Sequence, residues 1–307
     1  MSHQRNAKHP AKFLVLLATH NGAQWLSEQL SSLYNQTGVQ IKVVARDDQS
    51  SDETRSILDL WSRTRSLEVM APDSRRHGNA NRNFFSMIRD VSIGDAEYIA
   101  LADQDDVWHP EKLELALTKI NHSMASAYSS NVEAFWPNGK KCLIKKSQPQ
   151  KALDHLFSSP GPGCTFVFSR KFFLELQAWV QQRFEEVSQM WVHDWVIYAY
   201  ARSMGHVWAI DDYVSMQYRQ HANNEIGANF GVSALMRRLM RVRDGDYRND
   251  ILSICKLVNA PAKLIQALER FSLQDRFWLM LHAFEFRREA KESLVLIALF
   301  FLMPNEK

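Results

Sequence analysis

Within the first 121 residues, apolar runs alternate with segments of helical period, and this alternation constrains the fold more than any other feature. Phe13–Ala18 is a continuous apolar run, which reads as a buried strand. Gln24–Gln36 then places Trp25, Leu26, Leu30, Leu33 and Tyr34 at helical spacing. Ile41–Ala45 is a β-branched strand that ends in the polar turn Asp47–Ser51, and Asp52–Trp61 follows as a helix with acidic residues in its first turn. Leu67–Met70 predicts a short strand, Asn81–Arg89 a helix, Tyr98–Ala102 a strand and Glu111–Asn121 a helix opened by Pro110. Strands and helices in this order build βαβ units on a mainly parallel sheet, in which ligands bind beyond the carboxyl ends of the strands. Three polar clusters stand at such ends: Thr19–Asn21, Asp47–Asp48 and Asp103–Asp106.

The middle of the chain is less regular. Pro160, Gly161, Pro162 and Gly163 mark a loop, Cys164–Phe168 reads as a strand, and Phe172–Glu186 and Trp191–Met204 read as helices. After Gly231 the pattern is helical through Met303, so residues 1–230 are expected to form an α/β domain and residues 231–307 a helical extension. Ser293–Met303 is shorter than the roughly 20 residues of a spanning helix. Phe13–Ala18 is likewise too short for a signal-peptide core, and the expectation is a cytoplasmic chain without a transmembrane helix. A net charge of +3 gives no argument for nucleic acid as a partner. Cys142, Cys164 and Cys255 lack metal-binding spacing and fit a reducing compartment.

Asp103, Asp105 and Asp106 crowd three carboxylates into four residues beside an apolar strand. At ~5 Å and an effective dielectric of about 20, each like-charge pair costs roughly 3 kcal/mol. A divalent cation removes that cost, and oxygen ligands suit Mg²⁺ or Mn²⁺, which complete their shells with water and substrate phosphates. A solvated acidic turn capping the helix from Glu111 is the alternative reading of the same residues.

Phe13–Asn21 (FLVLLATHN), Val43–Thr54 (VVARDDQSSDET) and Tyr98–Leu113 (YIALADQDDVWHPEKL) resemble the family 2 inverting glycosyltransferases in order and spacing. Pro162–Arg170 (PGCTFVFSR), His193–Trp195 (HDW) and Tyr218–Gly227 (YRQHANNEIG) look like the bacterial rhamnosyltransferases of that family. The resemblance spans about residues 12–230 and implies a GT-A fold, a nucleoside-diphosphate-sugar donor and inversion at the anomeric carbon. Carried over by position, it implies nucleotide-sugar contacts from Thr19, Asp48 (to the base), Arg82, Asn83 and Asp103 (near the ribose). It implies a metal ligand at Asp105 and a further one at His221, with Arg219 placed to meet a phosphate and Asp106 beside the metal. Asp194 matches the catalytic base, which takes the acceptor hydroxyl's proton. Helix capping is the competing role for Asp194, and an ordinary hydrogen bond that for His221.

What the resemblance implies as a whole is transfer of a sugar, with L-rhamnose from dTDP-L-rhamnose as the specific expectation, to a cell-surface polysaccharide or lipid-linked glycan. Two basic amphipathic segments, Leu235–Arg243 and Arg287–Met303, suit a peripheral membrane contact, packing on the α/β domain, or a homodimer contact. A sugar nucleotidyltransferase would need a glycine-rich phosphate loop, and Ala18–Gln24 offers only Gly22. An inactive scaffold subunit of a polysaccharide assembly complex would have no use for Asp48, Asp103, Asp105 and Asp194 together.

Overall fold

The computed structural model describes residues 9–71, 76–190, 192–221 and 246–303. Its strands are β1 (Ala11–Thr19), β2 (Val39–Asp47), β3 (Leu67–Val69), β4 (Tyr98–Asp103), β5 (Val107–Trp108), β6 (Ala127–Phe135), β7 (Lys141–Ile144), β8 (Val167–Ser169) and β9 (Trp208–Arg219). Helices α1 (Ala23–Tyr34), α2 (Thr54–Thr64), α3 (Ala80–Asp90), α4 (Lys112–Ser123), α5 (Arg170–Ser188) and α6 (His193–Ser203) flank the sheet. The C-terminal helices are α7 (Asp246–Leu257), α8 (Ala262–Arg270), α9 (Leu273–Leu281), α10 (Ala283–Phe286) and α11 (Ala290–Leu302).

One sheet runs β3-β2-β1-β4-β8-β6-β9-β5, and off this order β7 pairs with the C-terminal half of β6, opposite β9. The β3-β2-β1-β4 part is parallel, as the βαβ pattern predicts, and beyond β4 the pairing is mixed. The apolar run in β1 has its cause in helices on both faces. Phe13, Val15 and Leu17 pack with Leu26, Leu30, Leu58 and Leu113, whereas Leu14 and Leu16 pack with Phe84, Phe172 and Val196. Alternating side chains of a strand point to opposite faces, so only an uninterrupted apolar sequence satisfies both layers.

The longest structural additions to the sequence reading are β6 and β9, which pair in parallel. Neither shows an apolar run or clean alternation, because buried polar side chains satisfy one another across the pair. Ser130 Oγ donates to Ser215 Oγ at 2.7 Å, Asn131 Nδ2 to the Asp212 carbonyl at 3.0 Å, and Trp208 Nε1 to Ser129 Oγ at 3.0 Å. The strand expected at Cys164–Phe168 begins later, at Val167, behind a 3-10 turn over Gly163–Thr165. Helix α6 begins at His193; Trp191 lies outside the described residues, as do the expected boundary at 230/231 and the basic segment Leu235–Arg243.

The C-terminal helices pack on the α/β part through a turn at Asp154–Leu156. Phe286 stacks on Phe157 at 4.1 Å between centroids, and the amide of Leu153 donates to the Glu285 carbonyl at 3.2 Å. Arg288 was grouped by the sequence with solvated basic residues, but only 4% of its side chain is exposed. It donates to Asp154 Oδ2 at 2.9 Å and to the Ser159 carbonyl at 2.7 Å. Asp154 is fully buried and also receives Tyr198 Oη at 3.0 Å and Arg202 at 3.4 Å. A buried carboxylate must be paired, so this network fixes the extension to α6 and the turn.

Asp154→Asn is therefore expected to lower the unfolding free energy by about 3–5 kcal/mol, because Arg288 and Arg202 keep their charges in a buried site. Urea denaturation followed by circular dichroism checks this. A loss below about 1 kcal/mol would mean that water already satisfies the two guanidinium groups.

Candidate active site

The parallel register brings the three polar clusters together. Thr19 pairs with Asp47 and Ala18 with Asp103, so the last residues of β1, β2 and β4 lie side by side at one edge of the sheet. Backbone and side-chain bonds then join the loops beyond them. Thr19 Oγ1 donates to Asp47 Oδ1 at 3.0 Å, and the Asp48 amide donates to the Thr19 carbonyl at 2.8 Å. The Gln104 side chain accepts from the His20 amide and donates to the His20 carbonyl, both at 2.8 Å. A Cβ on Gly22 would lie 2.1 Å from Gln104 Oε1, which explains the glycine there. Asp48 accepts from the amides of His77 and Gly78 at 2.5 and 2.9 Å, so the segment before α3 folds over its carboxylate.

Asp105 and His221 lie 116 residues apart along the chain and meet here. Asp105 Oδ2 and His221 Nε2 lie 2.7 Å apart, and Trp25 of α1 stacks on the His221 ring at 3.9 Å. Arg219 holds this corner closed. Its amide donates to Asp106 Oδ1 at 3.1 Å, its Nε to the Asp105 carbonyl at 2.7 Å, and its terminal nitrogen meets Glu28 at 2.5 Å. A phosphate reaching Arg219 would compete with Glu28.

Beneath this pair lies a buried layer of different chemistry. Oxygen and sulfur atoms of Asp103, Asp106 and Cys164 lie within 4.8 Å of one another. Burial, then the charges of Asp105 and Asp103, push Asp106 well above the usual carboxylate range, and burial does the same to the Cys164 thiol. Lys112 is fully buried; its ammonium donates to the Cys164 carbonyl at 2.6 Å and lies 3.2 Å from the Trp108 ring centroid. Desolvation lowers its pKa to about 7. Asp103, Asp106 and Cys164 thus form a second group of donor atoms beside the carboxylate oxygen and imidazole nitrogen that Asp105 and His221 bring together.

Arg82 and Asn83 separate. Asn83 is buried under β2, its Nδ2 donating to the Arg46 carbonyl at 3.3 Å. Arg82 points toward Phe184, 6.0 Å from its ring centroid, and its Nε is buried with no hydrogen-bond partner.

Asp194 occupies the first turn of α6, but the helix has no side-chain cap, and Val192 stands at the cap position. The Asp194 carboxylate instead accepts from the amide of Trp195 at 2.6 Å, with the Ser159 hydroxyl, which donates to the Gly161 carbonyl, close by. Burial outweighs these bonds and raises its pKa to about 6. The neighbouring His193 ring packs on Phe84 at 4.3 Å, and burial lowers its pKa to about 3. A Cβ on Gly163 would lie 2.2 Å from His193 Nε2, so Gly163 makes room for the imidazole beside Asp194. Trp195 packs in the core, its Nε1 donating to the His155 carbonyl at 3.0 Å.

The family model for glycosyl transferase family 2 matches residues 14–175. The chain belongs to that family. It is 36% identical over 239 residues, 78% of this chain and 83% of that protein, to the dTDP-rhamnosyl transferase RfbG of Shigella flexneri. It is 25% identical over 154 residues, 50% of this chain and 58% of the other, to an Escherichia coli glucosyltransferase named for a GlcNAc-diphosphoundecaprenol acceptor. Among solved structures, S. aureus TarS residues 1–349 with UDP-GlcNAc matches at a TM-score of 0.58 and 15% identity, covering 94% of this chain and 79% of that one. The Pyrobaculum calidifontis mannosyltransferase with GDP-Man and Mn²⁺ matches at 0.52 and 14% identity, covering 95% and 85%. The protein is a glycosyltransferase, and the two neighbours share its GT-A fold.

Gly163→Ala would displace His193 next to Asp194. If Asp194 takes part in the reaction, turnover is expected to fall by about tenfold or more, since small misplacements near reacting groups are costly. Donor-site binding, read by nucleotide-induced thermal shift, should stay as in the parent protein.

Proposed function

We propose that this glycosyltransferase transfers L-rhamnose from dTDP-L-rhamnose, with inversion, to a growing cell-surface polysaccharide on a lipid-linked acceptor. The similarity to RfbG supports the sugar and nucleotide, and the observation that carries the chemistry is the 2.7 Å approach of Asp105 and His221 at the strand ends. In this reading Thr19, Asp48 and Asp103 face the nucleotide sugar, with Arg219 on the phosphate side. Asp105 and His221 would hold Mg²⁺ or Mn²⁺, which supplies charge stabilisation to the departing diphosphate. Their converging oxygen and nitrogen fit such an ion, and loss of either is expected to remove it. Residues 1–230 form the catalytic domain and residues 231–307 the helical extension.

Asp194 acts as the base. Its raised pKa of about 6 makes it a stronger proton acceptor than an ordinary carboxylate while leaving it ionised at pH 7. The acceptor hydroxyl attacks the anomeric carbon from the face opposite the diphosphate, and its proton passes to Asp194.

The extension is read as a peripheral contact with an anionic membrane surface, where a lipid-linked acceptor resides. Among the described residues no helix is long and apolar enough to cross a membrane. Leu273, Phe277 and Leu281 of α9 are 85, 60 and 63% exposed, at intervals of four residues, and Leu294, Val295, Phe301 and Leu302 of α11 are 60, 58, 71 and 70% exposed. Leu296, Phe300 and Met303 are buried, so removing residues from Ser293 onward would open the core. Surface substitution is the cleaner test: Leu294→Ser with Phe301→Ser should reduce sedimentation with phosphatidylglycerol liposomes. Unchanged sedimentation combined with a dimer that the substitutions dissolve would make this face a subunit contact instead.

Three outcomes test the chemistry. Asp194→Asn should lower turnover by about 10²–10⁴-fold while leaving the dTDP-induced thermal shift in place. In the parent protein kcat/KM should fall as pH drops through about 6, because a protonated Asp194 accepts nothing, and that acid limb should vanish in the variant. Asp105→Ala should lower Mn²⁺-supported transfer by at least about 100-fold. Undiminished transfer without added metal would remove that role from Asp105, and a thermal shift from another nucleotide alone would replace dTDP.

A further inference from the structure

We propose that Trp25 is a positioning residue for His221: its indole face fixes the plane of the imidazole, and with it the direction in which Nε2 meets Asp105. The inference rests on the reading of Asp105 and His221 as ligands of a divalent cation and names the residue that would set the histidine for that task.

Helix α1 turns two stripes of side chains toward the protein. Leu26, Leu30 and Leu33 enter the core. Trp25, Glu28, Gln29 and Ser32 stand at i, i+3, i+4 and i+7, a second stripe, and each of them meets a segment of the candidate site. Gln29 Nε2 donates to the Asp103 carbonyl at 2.8 Å, the Trp108 amide donates to Ser32 Oγ at 3.0 Å, and Glu28 pairs with Arg219. Those three contacts are polar. Trp25 instead lays its ring flat on His221, with centroids 3.9 Å apart and planes 14° from parallel.

The indole and Asp105 are referred to one frame. The Trp25 amide donates to the Gly22 carbonyl at 3.0 Å, and Gly22 lies so close to Gln104, the neighbour of Asp105, that a Cβ would stand 2.1 Å from its Oε1. His221 arrives from the other side of the site, one residue beyond Gln220, whose amide donates to the Phe135 carbonyl at 2.9 Å. A bond at Nε2 fixes one atom of the imidazole and leaves the ring free to turn about it, since histidine χ2 is broad. The stack removes that freedom. Two adjacent ligands on an octahedral ion, each at roughly 2.1 Å, stand about 3 Å apart. Asp105 Oδ2 and His221 Nε2 are 2.7 Å apart, so a ring held in this plane needs little rearrangement to take up an ion. Neighbours that orient a metal-binding imidazole typically change metal affinity by about 10- to 100-fold.

The test compares the full-length parent with Trp25→Leu, Trp25→Phe and His221→Ala. In protein without metal, the His221 ring protons, assigned by their loss in His221→Ala, should lie upfield in the nuclear magnetic resonance spectrum through the indole ring current. They should return to ordinary positions in Trp25→Leu and stay upfield in Trp25→Phe. Mn²⁺ binding, read in the presence of dTDP by loss of the free-ion electron paramagnetic resonance signal, should weaken about tenfold or more in Trp25→Leu and stay within about threefold of the parent in Trp25→Phe. Leucine keeps the apolar bulk and loses the flat face, so packing alone predicts no change. Parent-like Mn²⁺ affinity in Trp25→Leu, with His221→Ala weakened, would overturn the proposal. Parent-like affinity in His221→Ala would overturn the metal reading of His221 and the proposal with it. A melting curve shows whether Trp25→Leu is folded, and Trp25→Met repeats the comparison if it is not.

Discussion

The register of β1 against its two parallel neighbours is the constraint on which everything else in this enzyme depends. Pairing Thr19 with Asp47 and Ala18 with Asp103 places three polar strand ends at one edge, and no other register would do so. A slip of one residue would turn Leu14 and Leu16 toward the wrong helix layer, so burial of both faces holds the register. The energy that positions the donor site is therefore the hydrophobic energy of β1. The polar loops add local bonds, chiefly the two that Gln104 makes to the His20 backbone.

Electrostatics then divides the aspartate cluster by depth. Asp106, Cys164 and Lys112 lie where desolvation favours their neutral forms, and Asp105 lies beside His221 and the Arg219 latch. Four consecutive residues thus serve different ends: Asp103 ends β4, Gln104 ties two loops, Asp105 meets His221, and Asp106 receives an amide from β9. The same competition, burial against hydrogen bonding, sets Asp194, and there burial prevails.

The C-terminal helices are joined to this chemistry. Arg288 bonds to Asp154 and to the carbonyl of Ser159, whose hydroxyl lies close to Asp194, so the extension touches the loop beside the residue proposed as the base. An Arg that reads as a solvated or membrane-facing charge in one dimension is an internal strut in three. The outward charge and apolar surface are left to Lys291, Leu294, Val295, Phe301 and Leu302.

The sequence by itself determined the βαβ half, because uninterrupted apolar strands and amphipathic helices obey local periodicity. It also determined which polar residues stand at the strand ends, since those ends follow from the strands. Strands β6 and β9 escaped it, for Ser129, Ser130, Asn131 and Ser215 are buried polar residues whose partners are 79 to 85 residues away along the chain. Trp25 against His221 and Lys112 against the Cys164 carbonyl carried no local signal either, being ordinary residues in their own segments. Only the tertiary structure decided these, because desolvation and charge act through space and the sheet order brings distant segments together.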